Sequence, residues 1–125
     1  MNTILLFGAG KSSTSLISYL VEQAPGHDWQ VIVADADRAQ AQSKIGANAG
    51  QRAKAIAIQV EDGQAREDLI SQADIVISLL PPSLHFLVAS SCIVCQKSLL
   101  TASYLDDKIK SLEPAVRENG LLFLC

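Results

Sequence analysis

Apolar runs alternate with amphipathic segments along the whole chain. The runs TILLFG (3–8) and WQVIVAD (29–35) are rich in large apolar residues and stop at glycine or aspartate, which is typical of buried strands. Between them, the segment 12–24 places Leu16, Tyr19 and Leu20 at positions i, i+3 and i+4, which indicates an amphipathic helix. The same alternation continues to the last residue and predicts six strands separated by five helices.

The order of these predicted elements indicates the fold class. Strict alternation of strands and helices with short connections specifies a parallel, doubly wound α/β sheet with right-handed crossovers. Six strands match the Rossmann dinucleotide-binding order 3-2-1-4-5-6. Pro25-Gly26 is expected to end the first helix, and Pro114 to kink the last one or to start a second. The predicted strands are 3–8, 29–35, 53–62, 74–82, 98–104 and 121–125, and the predicted helices are 12–24, 37–49, 64–73, 83–96 and 106–120.

The composition of the 125 residues fits one such domain. A chain of this length can bury most of its apolar surface around one core without disulfide or metal staples. Hydrophobic residues make up 49% of the sequence and charged residues 18%, which favours a sheet covered by helices on both faces. The same balance also fits a domain separated from a partner domain.

Charge and hydropathy argue against several classes of partner. A net charge of −3, no basic run and 5% aromatic residues leave no electrostatic footprint for nucleic acid, and a membrane surface is equally disfavoured. The N-terminus has no basic segment and its apolar run stops at Gly8, so it is not a secretory signal. No apolar run approaches the roughly 18 to 20 residues of a membrane span. We therefore expect a cytoplasmic protein with neither a nucleic-acid nor a membrane partner.

Three cysteines in a chain without a secretory signal favour a reducing compartment over a disulfide framework. Cys92 and Cys95 form a CxxC pair, but they lie late in a predicted helix, whereas redox-active pairs stand at a helix N-terminus. No second cysteine pair or histidine pair completes a zinc site. We expect buried, unreactive thiols and no bound metal.

The stretch LLFGAGKSST (5–14) matches parts of two phosphate-binding motifs. Gly10, Lys11 and Ser12 could end a P-loop, which would imply nucleoside triphosphate chemistry. A P-loop, however, has a second glycine five positions before the glycine that precedes the lysine. Gly10 precedes Lys11 here, so that position is Leu5, which lies inside the first predicted strand. The P-loop hypothesis is therefore the weaker of the two.

The second motif is the glycine turn of a dinucleotide site. Gly8 would make the tight turn after the strand, and Gly10 would let backbone amides approach a pyrophosphate at the helix N-terminus. Lys11 and Ser12 can add a charge and a hydroxyl to the same phosphates. Ser13 occupies the third position, where a small side chain permits close packing of the helix on the strand.

Asp35 ends the second strand 22 positions after Ser13, close to the spacing of the residue that holds the ribose hydroxyls. A carboxylate there accepts hydrogen bonds from a ribose diol and repels a 2′-phosphate, so we predict NAD as the cofactor, with NADP less favoured. Arg38 keeps NADP open because it could turn toward a phosphate. The alternative is a solvated side chain that pairs with Asp35 or Asp37. Asp62 either lies near the adenine or caps a loop.

The second half of the chain contains a more particular pattern. SLLP (78–81) ends the fourth strand, His85 follows in the next helix, TASY (101–104) ends the fifth strand and LEP (112–114) lies in the last helix. Together with the glycine turn, these motifs span nearly the whole chain and resemble the N-terminal part of the glutamate-forming saccharopine dehydrogenases of lysine metabolism. The resemblance implies a single NAD(P)-binding Rossmann domain over residues 1–125.

The resemblance also implies a function. Such enzymes are oxidoreductases that move hydride between nicotinamide and the carbon of a secondary amine joining an aminoadipate-derived and a glutamate-derived moiety. Oxidation would give an imine, which water cleaves. In such families the loop formed by Leu79, Leu80 and Pro81 borders the nicotinamide ribose, and Ser103 and Tyr104 face the active-site cleft, where strand ends line the ligand crevice.

Three positions qualify the resemblance. His85 has two interpretations, either packing and capping of its helix or a role near the substrate. Pro82 stands where the family commonly has an aromatic residue, and Ser13 stands where the fingerprint has glycine or alanine. These two departures leave a related amine or acid open as the substrate.

The family continues beyond its sixth strand into a substrate domain that we expect to be absent from this chain. The 125 residues alone should then bind the dinucleotide without turnover of the small amino-acid-like substrate, and no residue is assigned as catalytic. The apolar sixth strand LLFLC (121–125) would leave surface for self-association into a homo-oligomer. The alternative function is a non-catalytic Rossmann module that senses NAD(H) and regulates a partner.

Overall fold

A parallel sheet of six strands forms the centre of the molecule. The computed structural model describes residues 2–9, 13–46, 52–80, 82–101 and 123–124. The strands are β1 (Asn2–Phe7), β2 (Trp29–Asp35), β3 (Ala53–Ala57), β4 (Ile75–Ser78), β5 (Ser98–Thr101) and β6 (Phe123–Leu124). Their order is β3-β2-β1-β4-β5-β6, and every neighbouring pair is parallel. The predicted fold class and the predicted strand order are confirmed.

Helices cover both faces of this sheet. In the described part of the chain they are α1 (Thr14–His27), α2 (Arg38–Ile45), α3 (Gly63–Ser71) and α4 (Pro82–Val94). One apolar cluster joins the sheet to α1 and α2, and a second cluster joins it to α3 and α4. The arrangement is the doubly wound sandwich that strict alternation of strands and helices specifies.

β1 shows why the strands read as continuous apolar runs. Leu5 and Phe7 belong to the cluster with α3 and α4, whereas Ile4 and Leu6 belong to the cluster with α1 and α2. Side chains that alternate between the faces are therefore buried on both of them, and Leu5, Leu6 and Phe7 are fully buried. A polar residue at any of these positions would lie in a core, which is the usual condition of a central parallel strand.

The prediction that Pro25-Gly26 ends the first helix is wrong. α1 continues through both residues to His27 and ends at Asp28, which adopts a left-handed conformation (φ 57°) and donates its N–H to the Ala24 carbonyl. Pro25 and Gly26 are exposed in the last turn of the helix. A proline there costs one internal hydrogen bond at a solvated end, which the preceding turns of the helix tolerate.

The third strand is shorter than predicted because a turn and a helix cap follow it. β3 ends at Ala57, and the N–H of Asp62 bonds to the Gln59 carbonyl at 2.9 Å. The Asp62 carboxylate then accepts the Ala65 N–H at 3.2 Å and caps α3. Of the two interpretations of Asp62, the structure shows the capping one.

Several predicted segments lie partly or wholly outside the described residues. The helix predicted over 106–120, with Pro114 in it, lies wholly outside them, as do residues 102–104 of the fifth predicted strand and residues 121, 122 and 125 of the sixth. The second helix is described over Arg38–Ile45, and the last part of its predicted range, 47–49, is not described.

Candidate functional site

The turn after β1 has a conformation that requires glycine. Gly8 has a φ of 100°, a backbone region that residues with a Cβ rarely adopt. A Cβ at this position would lie 3.2 Å from the Leu79 carbonyl carbon and 3.3 Å from its oxygen. The N–H of Gly8 donates to the Ala34 carbonyl at 2.9 Å, which holds the turn against β2. The chain therefore turns sharply after β1, next to the C-terminal ends of β2 and β4.

The rest of the predicted phosphate-binding turn is described only at its two ends. Ala9 and Ser13 are fully buried, and Ser13 immediately precedes α1. A small residue at Ser13 brings the start of the helix close to the sheet, as the third position of the glycine fingerprint requires. Gly10, Lys11 and Ser12 lie outside the described residues.

Asp35 stands beside the glycine turn at the end of β2. One carboxylate oxygen, Oδ1, accepts the Ala9 N–H at 3.1 Å, and the other, Oδ2, accepts the Asp37 N–H at 3.0 Å. Asp37 in turn caps α2 by accepting the N–H groups of Ala39 and Gln40. The Asp35 carboxylate thus ties the glycine turn to the start of α2.

Arg38 is the first residue of α2 and its side chain is exposed. Its Nε donates to the Ala55 carbonyl of β3 at 3.4 Å. Among the residues that the structure describes, no ion pair joins Arg38 to Asp35 or Asp37, so the predicted pairing with these acids is not found. The guanidinium therefore lies near the C-terminal ends of β2 and β3 and forms no ion pair with Asp35 or Asp37.

The residues at the end of β4 contact the same turn. Ser78 pairs with Phe7 in the sheet register, and the Leu79 N–H donates to the Phe7 carbonyl at 2.9 Å. The Cδ2 atom of Leu80 lies 3.5 Å from the position of a Gly8 Cβ. β1 and β4 are the strands between which the winding of the sheet changes direction, and ligands of open α/β sheets bind at that point.

The predicted residues on the substrate side are only partly described. Leu79 and Leu80 are half-buried at the turn. Pro81, Ser103 and Tyr104 lie outside the described residues.

His85 is buried in α4, with 1% of its surface exposed. Its Nδ1 forms a hydrogen bond of 2.9 Å with the Ser78 hydroxyl, which is itself fully buried. The structure therefore places His85 in the packing between α4 and the end of β4, as the first interpretation of this residue proposed. Its partner Ser78 is the first residue of the SLLP motif, but the sequence does not predict its contact with His85.

Residues 4–124 match the family model described as the saccharopine dehydrogenase NADP binding domain. The chain belongs to this family. A saccharopine dehydrogenase (NADP(+), L-glutamate-forming) of Schizosaccharomyces pombe is 32% identical over 96% of this chain. The mitochondrial alpha-aminoadipic semialdehyde synthase of Bos taurus is 28% identical over 94% of it. The apo saccharopine dehydrogenase (L-Glu forming) of Saccharomyces cerevisiae superposes with a TM-score of 0.87 at 30% identity, over 98% of this chain.

These relatives are much longer than the chain. It spans 26% of the fission-yeast dehydrogenase, 12% of the bovine synthase and 26% of the budding-yeast structure. The resemblance derived from the strand ends and the glycine turn is confirmed, and the match covers the NADP-binding part of the longer proteins.

The prediction that NAD is preferred over NADP is wrong. The matching family is an NADP binding domain, and the fission-yeast relative is named for NADP(+). The prediction assumed that the Asp35 carboxylate faces the adenosine ribose. In the structure both of its oxygens accept main-chain N–H groups, those of Ala9 and Asp37. A carboxylate engaged in this way stabilises the turn, so its presence at the end of β2 is a poor guide to the cofactor.

A buried arginine connects α3, α4 and the segment that follows β3. Arg66 of α3 is 9% exposed, donates Nε to the Ser91 hydroxyl at 2.7 Å and donates Nη1 to the Val60 carbonyl at 2.5 Å. Val60 belongs to the connection between β3 and α3, so Arg66 ties that connection to α4. Sequence reasoning does not identify Arg66, because one arginine in an amphipathic helix usually faces solvent.

The cysteine pair has the environment predicted for unreactive thiols. Cys92 is fully buried, and burial raises the pKa of its thiol to about 12. Cys95 is half-buried, and burial raises the pKa of its thiol as well. Thiolates, which are the nucleophiles and metal ligands, are therefore disfavoured at both positions. In the part of the chain that the structure describes, no group of three metal-ligating side chains is present.

No helix in the described ranges has the length and apolarity needed to cross a membrane.

Proposed function

We propose that this chain binds NADP(H) at the carboxyl ends of β1, β2 and β4 and serves as the cofactor domain of an oxidoreductase acting on a secondary amine. The single observation that carries the proposal is the turn at Gly8. It has a positive φ, a Cβ position only 3.2 Å from the Leu79 carbonyl carbon, and a link through Ala9 to the Asp35 carboxylate. A turn of this kind at the topological switch point fits a pyrophosphate cradled by main-chain amides.

Each part of the turn has a proposed role toward the cofactor. The main chain at Gly8 and Gly10 would approach the pyrophosphate, with Lys11 and Ser12 adding a charge and a hydroxyl. Ser13 would keep α1 close to the sheet. These roles follow the glycine fingerprint, and the buried Ser13 and the conformation of Gly8 support them.

We propose Arg38 as the group that recognises the 2′-phosphate of NADP. A guanidinium binds phosphate oxygens through several N–H donors and stays charged at all physiological pH values. Arg38 follows Asp35 by three positions and has no ion pair with Asp35 or Asp37 in the described ranges. Arg38 therefore does not have to break an ion pair with Asp35 or Asp37 in order to turn toward a phosphate.

The opposite end of the site would receive the nicotinamide. We propose that Leu79, Leu80 and Pro81 border the nicotinamide ribose, because Leu79 and Leu80 lie against the glycine turn. Ser103 and Tyr104 would face the substrate, since they follow β5 on the same edge of the sheet. The nicotinamide supplies the hydride acceptor or donor, and this chain binds and orients it.

The substrate class follows from the relatives. Two of them are named saccharopine dehydrogenases forming L-glutamate, so we propose a secondary amine between two amino-acid-like moieties, whose oxidation to an imine permits hydrolysis. A related amine or acid is the alternative. Because dehydrogenases and synthases are the relatives, the enzyme hypothesis is favoured over a regulatory NAD(H) sensor.

We further propose that residues 1–125 form one domain that binds cofactor without turnover by itself. The support is that the chain spans 26% of the fission-yeast relative, which leaves most of that enzyme to other residues. The cytoplasmic location and the tendency to form a homo-oligomer stay predictions.

Calorimetry with NADPH and NADH tests the proposed function. We expect NADPH to bind at least about tenfold more tightly than NADH, a difference of about 1.4 kcal/mol in binding free energy. Arg38→Ala should remove most of this preference while leaving NADH binding unchanged, because only NADPH carries the 2′-phosphate. Gly10→Val should weaken both cofactors by blocking approach to the pyrophosphate.

Two results would contradict the proposal. If neither cofactor binds at millimolar concentration, the chain is not a dinucleotide-binding domain. If NADPH and NADH bind equally and Arg38→Ala changes neither, another group recognises the adenosine end.

A further inference from the structure

We propose that the buried pair formed by Ser78 and His85 positions the loop that receives the nicotinamide half of the cofactor. His85 is a positioning residue here, since a side chain with 1% of its surface exposed does not touch a ligand. The inference rests on the proposed function, because it assigns the loop at Leu79 and Leu80 to the nicotinamide ribose.

The pair closes a short loop at both of its ends. Ser78 is the last residue of β4, and His85 lies in the first turns of α4. The hydrogen bond between Nδ1 and the hydroxyl, 2.9 Å long, joins the strand to the helix across the residues between them. Leu79 and Leu80 therefore follow a strand end that is joined to α4, and Leu79 is also hydrogen-bonded to β1.

The loop has little freedom on the side of the glycine turn. The Leu79 N–H donates a hydrogen bond to the Phe7 carbonyl at 2.9 Å. A Cβ on Gly8 would lie 3.2 Å from the Leu79 carbonyl carbon, so the two backbones are close together. A shift of the loop by a fraction of an ångström changes the width of the crevice between the two turns. The buried hydrogen bond opposes such a shift, because breaking it would remove a favourable interaction between two desolvated polar groups.

The position of the pair predicts which half of the cofactor depends on it. Asp35 and Arg38 lie at the end of β2 and the start of α2, on the other side of β1 from β4. We expect the contacts to the adenosine 2′-phosphate there, with β1 between them and the loop that follows β4. Loss of the pair should therefore weaken binding of the whole cofactor and spare binding of its adenosine 2′-phosphate half.

The experiment compares the affinities of NADPH and 2′,5′-ADP, measured by calorimetry on the 125-residue chain. His85→Leu should weaken NADPH by about three- to tenfold, the size expected from one net hydrogen bond, and leave 2′,5′-ADP within about twofold. Ser78→Ala, a smaller change, should give the same selective loss. Binding of 2′,5′-ADP also reports that each variant is folded.

His85→Asn provides the test that separates positioning from general packing. Its side-chain amide can place a polar atom near the site of Nδ1, so it should recover most of the NADPH affinity when Ser78 is present. In the Ser78→Ala background the same substitution should recover nothing. This dependence of the rescue on Ser78 is expected only if the hydrogen bond itself matters.

Three outcomes decide the inference. Equal weakening of NADPH and 2′,5′-ADP would overturn it, since the pair would then only support the fold. Unchanged NADPH affinity in His85→Leu would also overturn it, while leaving the proposed function intact. A wild-type chain that binds neither ligand would overturn the proposed function first and this inference with it.

Discussion

At the scale of single residues, two groups define the site and neither needs a ligand to hold its place. Gly8 adopts a conformation closed to other residues and lies against the Leu79 carbonyl. Asp35 accepts two main-chain N–H groups, from Ala9 and Asp37. The arrangement is preorganised, because the turn is fixed by internal hydrogen bonds before a phosphate arrives.

Gly8→Ala should destabilise the domain by about 1–3 kcal/mol, because the new Cβ would be strained at a φ of 100° and would meet the Leu79 backbone. Gly26→Ala is the matched control, since Gly26 lies in α1 with nothing within 4 Å of its Cβ position. That variant should be neutral or more stable by about 0.5–1 kcal/mol. Denaturant unfolding curves give both values, and equal stability of the two variants would show that the turn tolerates a side chain.

At the scale of elements, the site is a junction between the ends of strands and the starts of helices. The Asp35 carboxylate connects the turn after β1 to the N-terminus of α2, and Asp37 and Asp62 cap α2 and α3. Arg66 joins α3, α4 and the connection after β3. Ser13 starts α1 directly after the glycine turn, and the positive dipole end of that helix favours an anionic ligand at the turn.

Asp35→Ala should reduce NADPH affinity by about tenfold, because the Ala9 N–H loses its acceptor and the glycine turn loses its link to α2. Asp62→Ala is the matched control. It also removes a carboxylate that accepts a main-chain N–H, at a helix cap that does not contact the glycine turn. Both variants should lose about 1–2 kcal/mol of unfolding free energy, but only Asp35→Ala should lose affinity. A similar loss of affinity in both would mean that Asp35 acts through stability alone.

At the scale of the whole molecule, much of the fold could be predicted from the sequence. The apolar strands and their alternation with helices gave the six-stranded order, because each strand is buried on both faces and strongly marked. Boundaries were less certain, as the passage of α1 through Pro25 shows. The glycine turn and the motifs at the ends of β4 and β5 also indicated the family that the comparisons then established.

The cofactor could not be predicted in the same way. The prediction of NAD rested on the orientation of one carboxylate, and sequence spacing locates Asp35 without orienting it. The contact of Arg66 with Ser91 joins residues of two helices that are 25 positions apart in sequence, and that of His85 with Ser78 joins a helix to the end of a strand. Neither pairing follows from the residue types or their spacing.

The measurement that tests the central claim most directly is a titration of the isotope-labelled chain with NADPH, followed through its backbone amide NMR signals. The account predicts that the amides of Gly8, Ala9 and Asp37 shift in proportion to bound cofactor, because they form or adjoin the turn that would hold the phosphates. Asn2 and Asp74 lie at the N-terminal ends of β1 and β4, away from the glycine turn, so their amide signals should not shift. Shifts at those two residues, with none at the glycine turn, would contradict the assignment of the site.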